Sequence, residues 1–457
     1  TLKPDAFDVI PLDMSQYPGL FASTRVPRHG QDVLVAARDS KHIVVLCRNQ
    51  FYTFDVVDAD NVPVSAQQIK ANIGAILEAP HRPGFGIDVL TSLDRESWAQ
   101  ARAALEAVPT NYKALGVLDS ALFAVCLDTE GTGTEGWDQL AHRMLHGFGH
   151  NRWYDKSFQL IVTKDGRPGI SFEHSWGDGL CVLRMSTDSW NRVMQSAPVP
   201  TSSDVSPNIH QLKWDYTPDI QKRVDDAGEQ FSRRIDELDY TVVDLLERDG
   251  ANAFFGKNEV KNLGVSPDGL LQMAIQLAYF RLSGAAAMTY ESASTAAFLR
   301  GRTEVIRVCT VDSVAMCRAM DDPAVSKEEK AALLRRAIQT HGDIASAAVQ
   351  GKGIDRHLFA LKRVAEDRAG GSIPAIFTDV GYKRLNHNTL STSTLVSEGI
   401  EMGGFAPVVP DGFGVGYGIR HDGIRFIISS FVKGNSAKMA DLTFQAVRDV
   451  FNLLRHN

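Results

Sequence analysis

The sequence predicts a mixed α/β fold made of two or three domains. The chain has 457 residues, and a domain holds about 150 residues on average. Runs of β-branched and aromatic residues alternate along the chain with stretches of helical spacing. No internal repeat or low-complexity block interrupts this pattern. Such a mixture indicates α/β or α+β domains rather than a helical bundle or a β-sandwich.

Two β-hairpins are predicted in the first 216 residues. Their strands are rich in β-branched and aromatic residues and cover 42–47, 51–57, 158–162 and 169–172. Polar residues separate the first pair, and the second pair flanks Asp165-Gly166, a strong turn signal. The second hairpin therefore leads the chain directly to His174.

Amphipathic helices are predicted on both sides of a Ser/Pro-rich stretch at 196–208, the best candidate for a domain boundary. Their apolar residues lie three or four apart, at 66–77, 96–108, 220–238, from 267, from 327 and at about 437–454. Ser266-Pro267 opens the fourth, since proline is tolerated in a first turn. Ser326 opens the fifth with a capping-box pattern.

The composition excludes several classes of protein. With 44% hydrophobic and 23% charged residues, the chain can bury large cores, and its net charge of −7 disfavours a nucleic-acid binder. The five cysteines never form C-x-x-C and predict neither a disulfide framework nor a zinc site. A reducing compartment suits them. The first residues do not form a signal peptide, and no apolar run approaches the about 20 residues of a membrane helix. A soluble or peripheral protein is therefore expected.

The run EHSWGDG at 173–179 is the segment with the clearest chemical potential. It places His174 at the end of a predicted strand, where a glycine-rich turn begins. Histidine titrates near neutral pH and suits proton transfer, and Asp178 is near enough in sequence to orient the imidazole. The competing interpretation is a histidine satisfied by local hydrogen bonds at a strand end.

Three histidines also have the spacing of metal ligands on a helix. His142, His146 and His150 are four residues apart, but Gly147 and Gly149 interrupt the helix there. No His-Glu-x-x-His motif occurs, so no metal site is predicted.

Three further segments have two interpretations each. The hydroxyl-rich run LSTSTL at 390–395 is either a strand or cap, or a source of oxyanion donors. The run GFGVGYG at 412–418 fits neither a dinucleotide loop nor a P-loop, and predicts a strand on which another segment packs closely. Lys257 and Lys261 form either a solvated surface or a phosphate-binding patch.

Taken together and in order, these segments resemble the carnitine/choline acyltransferase family, closest to its palmitoyl-transferring branch of the mitochondrial inner membrane. The runs that carry the resemblance are PLDMSQY at 11–17, NRWYDKS at 151–157, FEHSWGDG at 172–179, TYES at 289–292, GRTE at 301–304, DRH at 355–357, LSTSTL at 390–395 and PDGFG at 410–414. The match starts inside the family's first domain, so an N-terminally truncated member is expected.

The resemblance implies two domains, each like a chloramphenicol acetyltransferase unit, with the active-site tunnel between them. Residues 1–216 would form the incomplete N-terminal domain with the catalytic histidine, and 217–457 the domain that binds CoA and carnitine. Catalytic roles fall on His174, Asp178 and Ser393. Carnitine binding falls on Tyr290, Ser292, Thr303 and Arg356. CoA binding falls on Lys257, Lys261 and Asp268, and the acyl tunnel on Gly403.

The implied reaction is reversible transfer of a medium- or long-chain fatty acyl group between CoA and the hydroxyl of L-carnitine, without an acyl-enzyme. His174 would act as general base and Ser393 as oxyanion donor. Arg356 offers a fork for the carnitine carboxylate. Gly403 leaves space where short-chain members carry a bulky residue. CoA or acyl-CoA is a co-substrate, and no permanently bound cofactor or metal is implied.

The resemblance also implies a role in fatty-acid import for β-oxidation and a place on the matrix side of the mitochondrial inner membrane. It is compatible with peripheral membrane association and implies no nucleic-acid partner. Two alternatives stay open. One is a catalytically silent, truncated fragment that binds CoA esters or a partner. The other is a choline acyltransferase, which Arg356 and Thr303 disfavour.

Overall fold

Two mixed β-sheets organise the chain in this computed structural model, which describes residues 5–7, 10–80, 82–129, 136–199, 205–249, 256–368, 373–421 and 423–456. One sheet belongs to a first unit, Ser15–Asp236. The other belongs to a second unit, formed by Glu237–Asn457 with the segment that ends at Met14.

The strands are, in chain order, β1 (Ala6–Phe7), β2 (Ile10–Pro11), β3 (Ser23–Val26), β4 (Val33–Ala36), β5 (His42–Cys47), β6 (Gln50–Asp55), β7 (Ala124–Leu127), β8 (Phe158–Val162), β9 (Pro168–Phe172), β10 (His210–Leu212), β11 (Asp239–Asp244), β12 (Thr289–Ser294), β13 (Thr303–Arg307), β14 (Leu390–Thr394), β15 (Phe413–Ile419) and β16 (Ile424–Ser430).

The α-helices are α1 (Ala66–Leu77), α2 (Arg95–Glu106), α3 (Pro109–Ser120), α4 (Trp137–Leu145), α5 (Gly179–Gln195), α6 (Pro218–Glu237), α7 (Leu245–Asp249), α8 (Lys257–Asn262), α9 (Pro267–Ser283), α10 (Val311–Met320), α11 (Lys327–Val349), α12 (Asp355–Arg368), α13 (Val380–Asn386) and α14 (Asn435–Arg455). Short 3-10 turns lie at Tyr17–Gly19, Ile87–Ser92, Gly147–Gly149 and Ala375–Phe377.

The two large sheets share one pattern of strand pairing. Their orders are β10-β6-β5-β7-β8-β9 in the first unit and β11-β16-β15-β14-β12-β13 in the second. Read in these orders, each sheet has two antiparallel pairings, then two parallel pairings, then one antiparallel pairing. These six-stranded mixed sheets confirm the predicted α/β class.

Both predicted hairpins are confirmed. β5 pairs with β6 through a turn in which Arg48 and Asn49 have φ of 52° and 61°. β8 pairs with β9 around Gly166, whose φ of 80° favours glycine. The chain leaves β9 two residues before His174. In the part of the chain that the structure describes, no helix combines the length and apolar character needed to span a bilayer.

The first unit buries both faces of its sheet at the central strand β5. In β5, Val44 and Leu46 join a cluster with Trp98 of α2, whereas Ile43 joins a different cluster with Ile76 of α1. The side chains separate in this way because successive residues of a strand point to opposite faces. Burial on both faces is typical of strands in parallel pairings.

Helix α6 belongs to the first unit even though it follows the Ser/Pro-rich stretch. Its apolar face packs into the cluster that contains Trp98, through Ile220, Val224 and Ala227. The compact units therefore divide after Asp236. This division differs from the predicted bounds 1–216 and 217–457, because composition marked the linker but not the packing of the following helix. The functions assigned to the two domains remain predictions.

The second unit packs α9 and α14 against one face of its sheet. Residues 269–278 of α9 are all buried, and Leu390, Val415 and Phe426 of the central strands belong to the same cluster. Since strand side chains alternate, the neighbours of these residues in β14, β15 and β16 point to the opposite face. We call this opposite face the outer face of the second sheet.

Candidate functional site

His174 lies in the first unit, between β9 and α5. Its side chain is 65% exposed, and its Nδ1 lies 3.9 Å from Oδ1 of Asp178. Asp178 occupies the N-cap position of α5. The predicted pair is therefore brought together at the distance of an ion pair, which is longer than a hydrogen bond. The imidazole also contacts Phe172, with ring centroids 4.8 Å apart.

Gln16 fixes Asp178 from the other side. The Gln16 amide donates from Nε2 to Oδ2 of Asp178 at 3.0 Å, and its Oε1 accepts the Asp178 backbone N–H at 2.7 Å. This two-point contact sets both the backbone and the carboxylate of Asp178. The contact joins residues 162 positions apart, so spacing gave no sign of it. The only available signal was the place of Gln16 in the run PLDMSQY at 11–17.

The residues on either side of His174 are anchored through Glu173, which precedes it, and Trp176, which follows it. The Glu173 carboxylate accepts from Arg25 at 3.2 Å and from the Ser175 backbone N–H at 2.9 Å. The Trp176 indole is buried and donates to the carbonyl of Ser157 at 2.9 Å. Because the residues before and after His174 are both held by hydrogen bonds, the backbone conformation around His174 is fixed.

A polar network extends below this segment into the first unit. Asp32 accepts from Arg25 at 2.6 Å and from Arg95 at 2.7 Å, and Arg95 also donates to Asp155 at 2.6 Å. Burial raises the pKa of Asp155 to about 6, although Arg95 and the Trp98 indole lower it. Arg25 therefore couples the Glu173 segment to the buried run NRWYDKS at 151–157.

Arg356 is the centre of a hydrogen-bonded group on the second unit. Its Nε donates to the carbonyl of Thr303 at 3.0 Å, and its Nη2 donates to the hydroxyls of Thr303 at 3.1 Å and Tyr290 at 3.4 Å. The residue as a whole stays exposed. The structure thus brings together three of the four residues predicted to bind carnitine.

The second sheet explains why these residues meet. Tyr290 and Ser292 are outward-facing residues of β12, on either side of the buried Glu291. Thr303 begins β13, directly opposite Ser294 of β12. The outer face of β12 therefore carries the fourth predicted carnitine residue, the exposed Ser292, one strand period away from Tyr290.

Ser393 also lies on the outer face of this sheet. β12 and β14 are parallel with Tyr290 opposite Ser391, so Ser391 and Ser393 share the face of Tyr290 and Ser292. Thr392, between the two serines, points inward and is buried. Ser393 is half-buried, and its predicted role as oxyanion donor remains a prediction.

Arg356 lies in the first turn of α12, and side chains next to that turn hold its backbone in place. The buried carboxylate of Glu304 accepts the Arg356 backbone N–H at 3.3 Å, and Asp355 is paired with Arg307 of β13. A carboxylate at a helix N-terminus is favourable because the first N–H groups have no partner in the helix. Sequence reasoning did not assign Glu304, although it is the last residue of the run GRTE at 301–304.

Gly403 lies in a segment that crosses the outer face of β15. A side chain at Gly416 would collide with the carbonyl oxygen of Gly403, and one at Gly414 with that of Phe405. The predicted strand with close packing at 412–418 is therefore confirmed. A Cβ at Gly403 would lie 3.7 Å from Cβ of Leu395, which is ordinary van der Waals contact.

The predicted CoA residues lie near one another in sequence but differ in surroundings. Lys257 and Lys261 are exposed and one turn apart in α8. Asp268, in the first turn of α9, accepts the hydroxyl hydrogen of Tyr417 at 2.6 Å. Burial and the carboxylate of Asp268 raise the pKa of Tyr417 and so keep it a donor. The assignment of all three to CoA remains a prediction.

Among the described residues, one group of acids and a histidine has the spacing of metal ligands. It consists of Asp268, Glu291 and His341, whose ligand atoms all lie within 4.8 Å of one another. His341 Nε2 lies 2.8 Å from Glu291 and 4.0 Å from Asp268. Burial raises the pKa of Glu291 to about 7, and the two carboxylates raise that of His341 against the effect of its own burial. Sequence reasoning missed this group because its members come from three separate elements.

The three histidines considered as metal ligands have other neighbours. His142 Nδ1 lies 2.9 Å from His146 Nε2, whereas His150 stacks on Phe85 with ring centroids 4.8 Å apart. Burial lowers the pKa of His146 to about 3, and the charges of His142 and Arg152 add to this effect. His146 is therefore neutral near pH 7.

Comparison with known proteins shows extended similarity. A family model described as "Choline/Carnitine o-acyltransferase" matches residues 1–445. The chain is 38% identical over 453 residues to "Carnitine O-palmitoyltransferase 2, mitochondrial" of Xenopus tropicalis, covering 97% of this chain and 67% of that protein. The protein of the same name from Homo sapiens is 38% identical over 452 residues, with the same coverage. "Carnitine O-acetyltransferase" of Rattus norvegicus is 34% identical over 467 residues, covering 98% and 73%.

Proposed function

Because the chain belongs to the choline/carnitine O-acyltransferase family, we propose that it transfers a fatty acyl group between CoA and the hydroxyl of L-carnitine. The observation that carries this proposal is the group formed by Arg356, Thr303 and Tyr290. A guanidinium held beside two hydroxyls offers a fixed positive charge and polar contacts that suit a carboxylate. Carnitine has a carboxylate and choline has none.

His174 acts as the general base in this proposal. Its Nδ1 faces Asp178, so Nε2 takes the proton from the carnitine hydroxyl. The oxygen then attacks the thioester carbonyl, and the imidazolium returns the proton to the departing CoA thiolate. Asp178 stabilises the imidazolium that forms between the two transfers. General acid–base catalysis of this kind contributes about 10²–10⁴-fold to the rate.

Ser393 donates to the oxyanion of the tetrahedral intermediate. A donor aimed at an oxyanion contributes about 10²–10³-fold. The trimethylammonium group of carnitine adds a positive charge from the substrate itself. The acyl group passes directly between the two substrates, and no acyl-enzyme forms. Lys257 and Lys261 contact the phosphates of CoA, with Asp268 nearby.

We expect medium- to long-chain acyl groups because Gly403 leaves open the place where short-chain members carry a bulky residue. Replacing Gly403 by Met would push a side chain toward Leu395 and into that place. For Gly403→Met we expect activity with palmitoyl-CoA to fall at least about tenfold relative to acetyl-CoA. Gly342→Met is the control, since no atom lies within 4 Å of its Cβ position. An unchanged preference would contradict the assignment of Gly403.

We also propose a mitochondrial location, on the matrix side of the inner membrane, with a role in fatty-acid import for β-oxidation. The names of two relatives include the word mitochondrial. Peripheral association with that membrane is compatible with this role. The partners are acyl-CoA and L-carnitine.

The retained His174, Ser393 and Arg356 favour an active enzyme over a silent fragment that binds CoA esters. The deciding experiment measures CoA release from palmitoyl-CoA with and without L-carnitine. We expect release that depends on carnitine and falls roughly 10³-fold in His174→Ala. His29→Ala, at an exposed histidine of the same unit, should match the wild type. No release from a folded wild-type chain would contradict the proposal.

A further inference from the structure

Helix α9 carries a polar stripe through the core of the second unit. Asp268, Gln272 and Gln276 follow one another at intervals of four residues, which places them on one side of the helix. The helix is otherwise apolar there, and Gln272 is 0% exposed. A polar group is costly to bury unless it is hydrogen-bonded, so the polar side chains of this stripe are expected to have hydrogen-bond partners.

Gln272 connects the helix to the strands that carry the outer face. Its Nε2 donates to Oγ1 of Thr392 and to the hydroxyl of Tyr417, both at 3.0 Å. Thr392 Oγ1 in turn donates to the carbonyl of Tyr290 at 2.9 Å. One chain of hydrogen bonds therefore runs from α9 through β14 to the backbone of β12.

The two acceptors explain why an amide stands at this position. Thr392 gives its hydroxyl hydrogen to Tyr290, and Tyr417 gives its own to Asp268. Each oxygen then accepts a hydrogen from the same NH₂ group of Gln272, which carries two. Among the described residues, Oε1 of Gln272 has no hydrogen-bond partner. The side chain therefore serves as a double donor.

The residues reached by this chain alternate with the proposed binding residues. Thr392 lies between Ser391 and Ser393, and the carbonyl it contacts belongs to Tyr290. A change in the position of Thr392 would shift Ser393 relative to Tyr290, because Ser393 follows Thr392 in β14 whereas Tyr290 belongs to β12. We propose that Gln272 is a positioning residue, which fixes the spacing of Ser393 and Tyr290 for carnitine.

This inference rests on the proposed function, and it concerns a residue that would touch neither substrate. The neighbouring Glu291 is held separately by His341 at 2.8 Å. Loss of the Gln272 bonds should therefore leave β12 paired and the fold intact. The expected effect is a small displacement of the outer face.

The test compares Gln272→Met with the wild type. Methionine has a similar volume but no donor. We expect kcat to fall, because Ser393 is the proposed oxyanion donor. The KM for L-carnitine should rise about five- to tenfold, as for the loss of one or two buried hydrogen bonds, and the KM for palmitoyl-CoA should stay within about twofold. Ser436→Ala is the matched control, since it removes the partly buried hydrogen bonds of the Ser436 hydroxyl with Asp239 and Thr241 of β11, the opposite edge strand. It should lower thermal stability without changing either KM.

If Gln272→Met does not fold, Gln272→Asn keeps an amide that is one methylene shorter, and the same split between the two KM values is expected. Two results would overturn the inference: a carnitine KM equal to that of Ser436→Ala, or equal increases in both KM values. In either case an active wild type would still support the proposed function. A wild type without carnitine-dependent release would overturn both.

Discussion

The two large sheets have the same sequence of pairings but use their edge hairpins differently. In the first unit, the hairpin of β8 and β9 is a support: it ends in the loop that presents His174. In the second unit, the hairpin of β12 and β13 itself carries residues of the proposed carnitine site, since Tyr290, Ser292 and Thr303 lie within its strands. The two sheets therefore share their strand pairing, and the residues with proposed functional roles differ in whether they lie on a loop or on a strand face.

The two sites also differ in how their main side chains are held. The His174 side chain is 65% exposed, and the segments on both sides of it are anchored by Gln16, Glu173 and Trp176. Arg356 is held through its own guanidinium. A base that exchanges protons needs access, whereas a cation that recognises a carboxylate gains from being preorganised. His174 and the residues that hold it should therefore control kcat, and the group around Arg356 should control the KM for carnitine. Ser393 also lies in the second unit, but as the proposed oxyanion donor it should act on kcat.

The largest effect that separates the two units is expected for Arg356→Ala. Hydrogen bonds to charged groups contribute about 1.5–3 kcal/mol, so the KM for L-carnitine should rise about 10–100-fold while the KM for palmitoyl-CoA changes little. Arg363→Ala, at an exposed arginine of the same helix, is the control. If both KM values rise together, Arg356 supports the structure of the unit and does not recognise carnitine.

A smaller effect, on kcat, is expected for Gln16→Leu. The variant removes both contacts with Asp178 and leaves His174 in place. We expect kcat to fall about tenfold, with both KM values near those of the wild type. Gln221→Leu, which removes an exposed helix contact with Asp225, should have no effect on kcat. An increase in the carnitine KM alone would remove the distinction between the two units.

A separate comparison of the two units concerns stability and not kinetics, since each unit buries a carboxyl group. Burial raises the pKa of both carboxyl groups. Glu291 lies beside His341. The pKa of Asp88, which is 1% exposed, rises to about 6 although backbone N–H groups and the charge of Arg152 lower it. The folded chain then binds this proton more tightly than the unfolded chain, whose aspartates titrate near about 3.9. Stability from Asp88 is therefore present below about pH 4 and is lost as pH rises through about 6.

Asp88→Asn removes this titration. Relative to the wild type, the variant should gain stability between about pH 4 and 6, by roughly 3 kcal/mol in total, and the difference should stay constant above that range. Thermal unfolding at several pH values measures it, with the exposed Asp60→Asn as control. A difference that does not change with pH would show that Asp88 is ionised at little cost.

Local features were predicted well because they depend on neighbouring residues. The bounds of α1, the two hairpins and the cap Ser266 followed from spacing and turn chemistry. The proximity of His174 and Asp178 also followed from spacing.

Contacts between distant segments could not be predicted in this way. Gln16 with Asp178, Gln272 with Thr392 and His341 with Glu291 form only when separate elements pack together. The packing of α6 on the first unit, which moved the boundary of the compact units, is a further example.

The most direct test of the account is a competition between acceptors. The chain is incubated with palmitoyl-CoA and equal concentrations of L-carnitine and choline, and the products are quantified by mass spectrometry. The account predicts palmitoylcarnitine and free CoA in equal amounts, with little palmitoylcholine, because Arg356 selects the acceptor that has a carboxylate. Palmitoylcholine as the main product, or no acyl transfer by the folded chain, would contradict it.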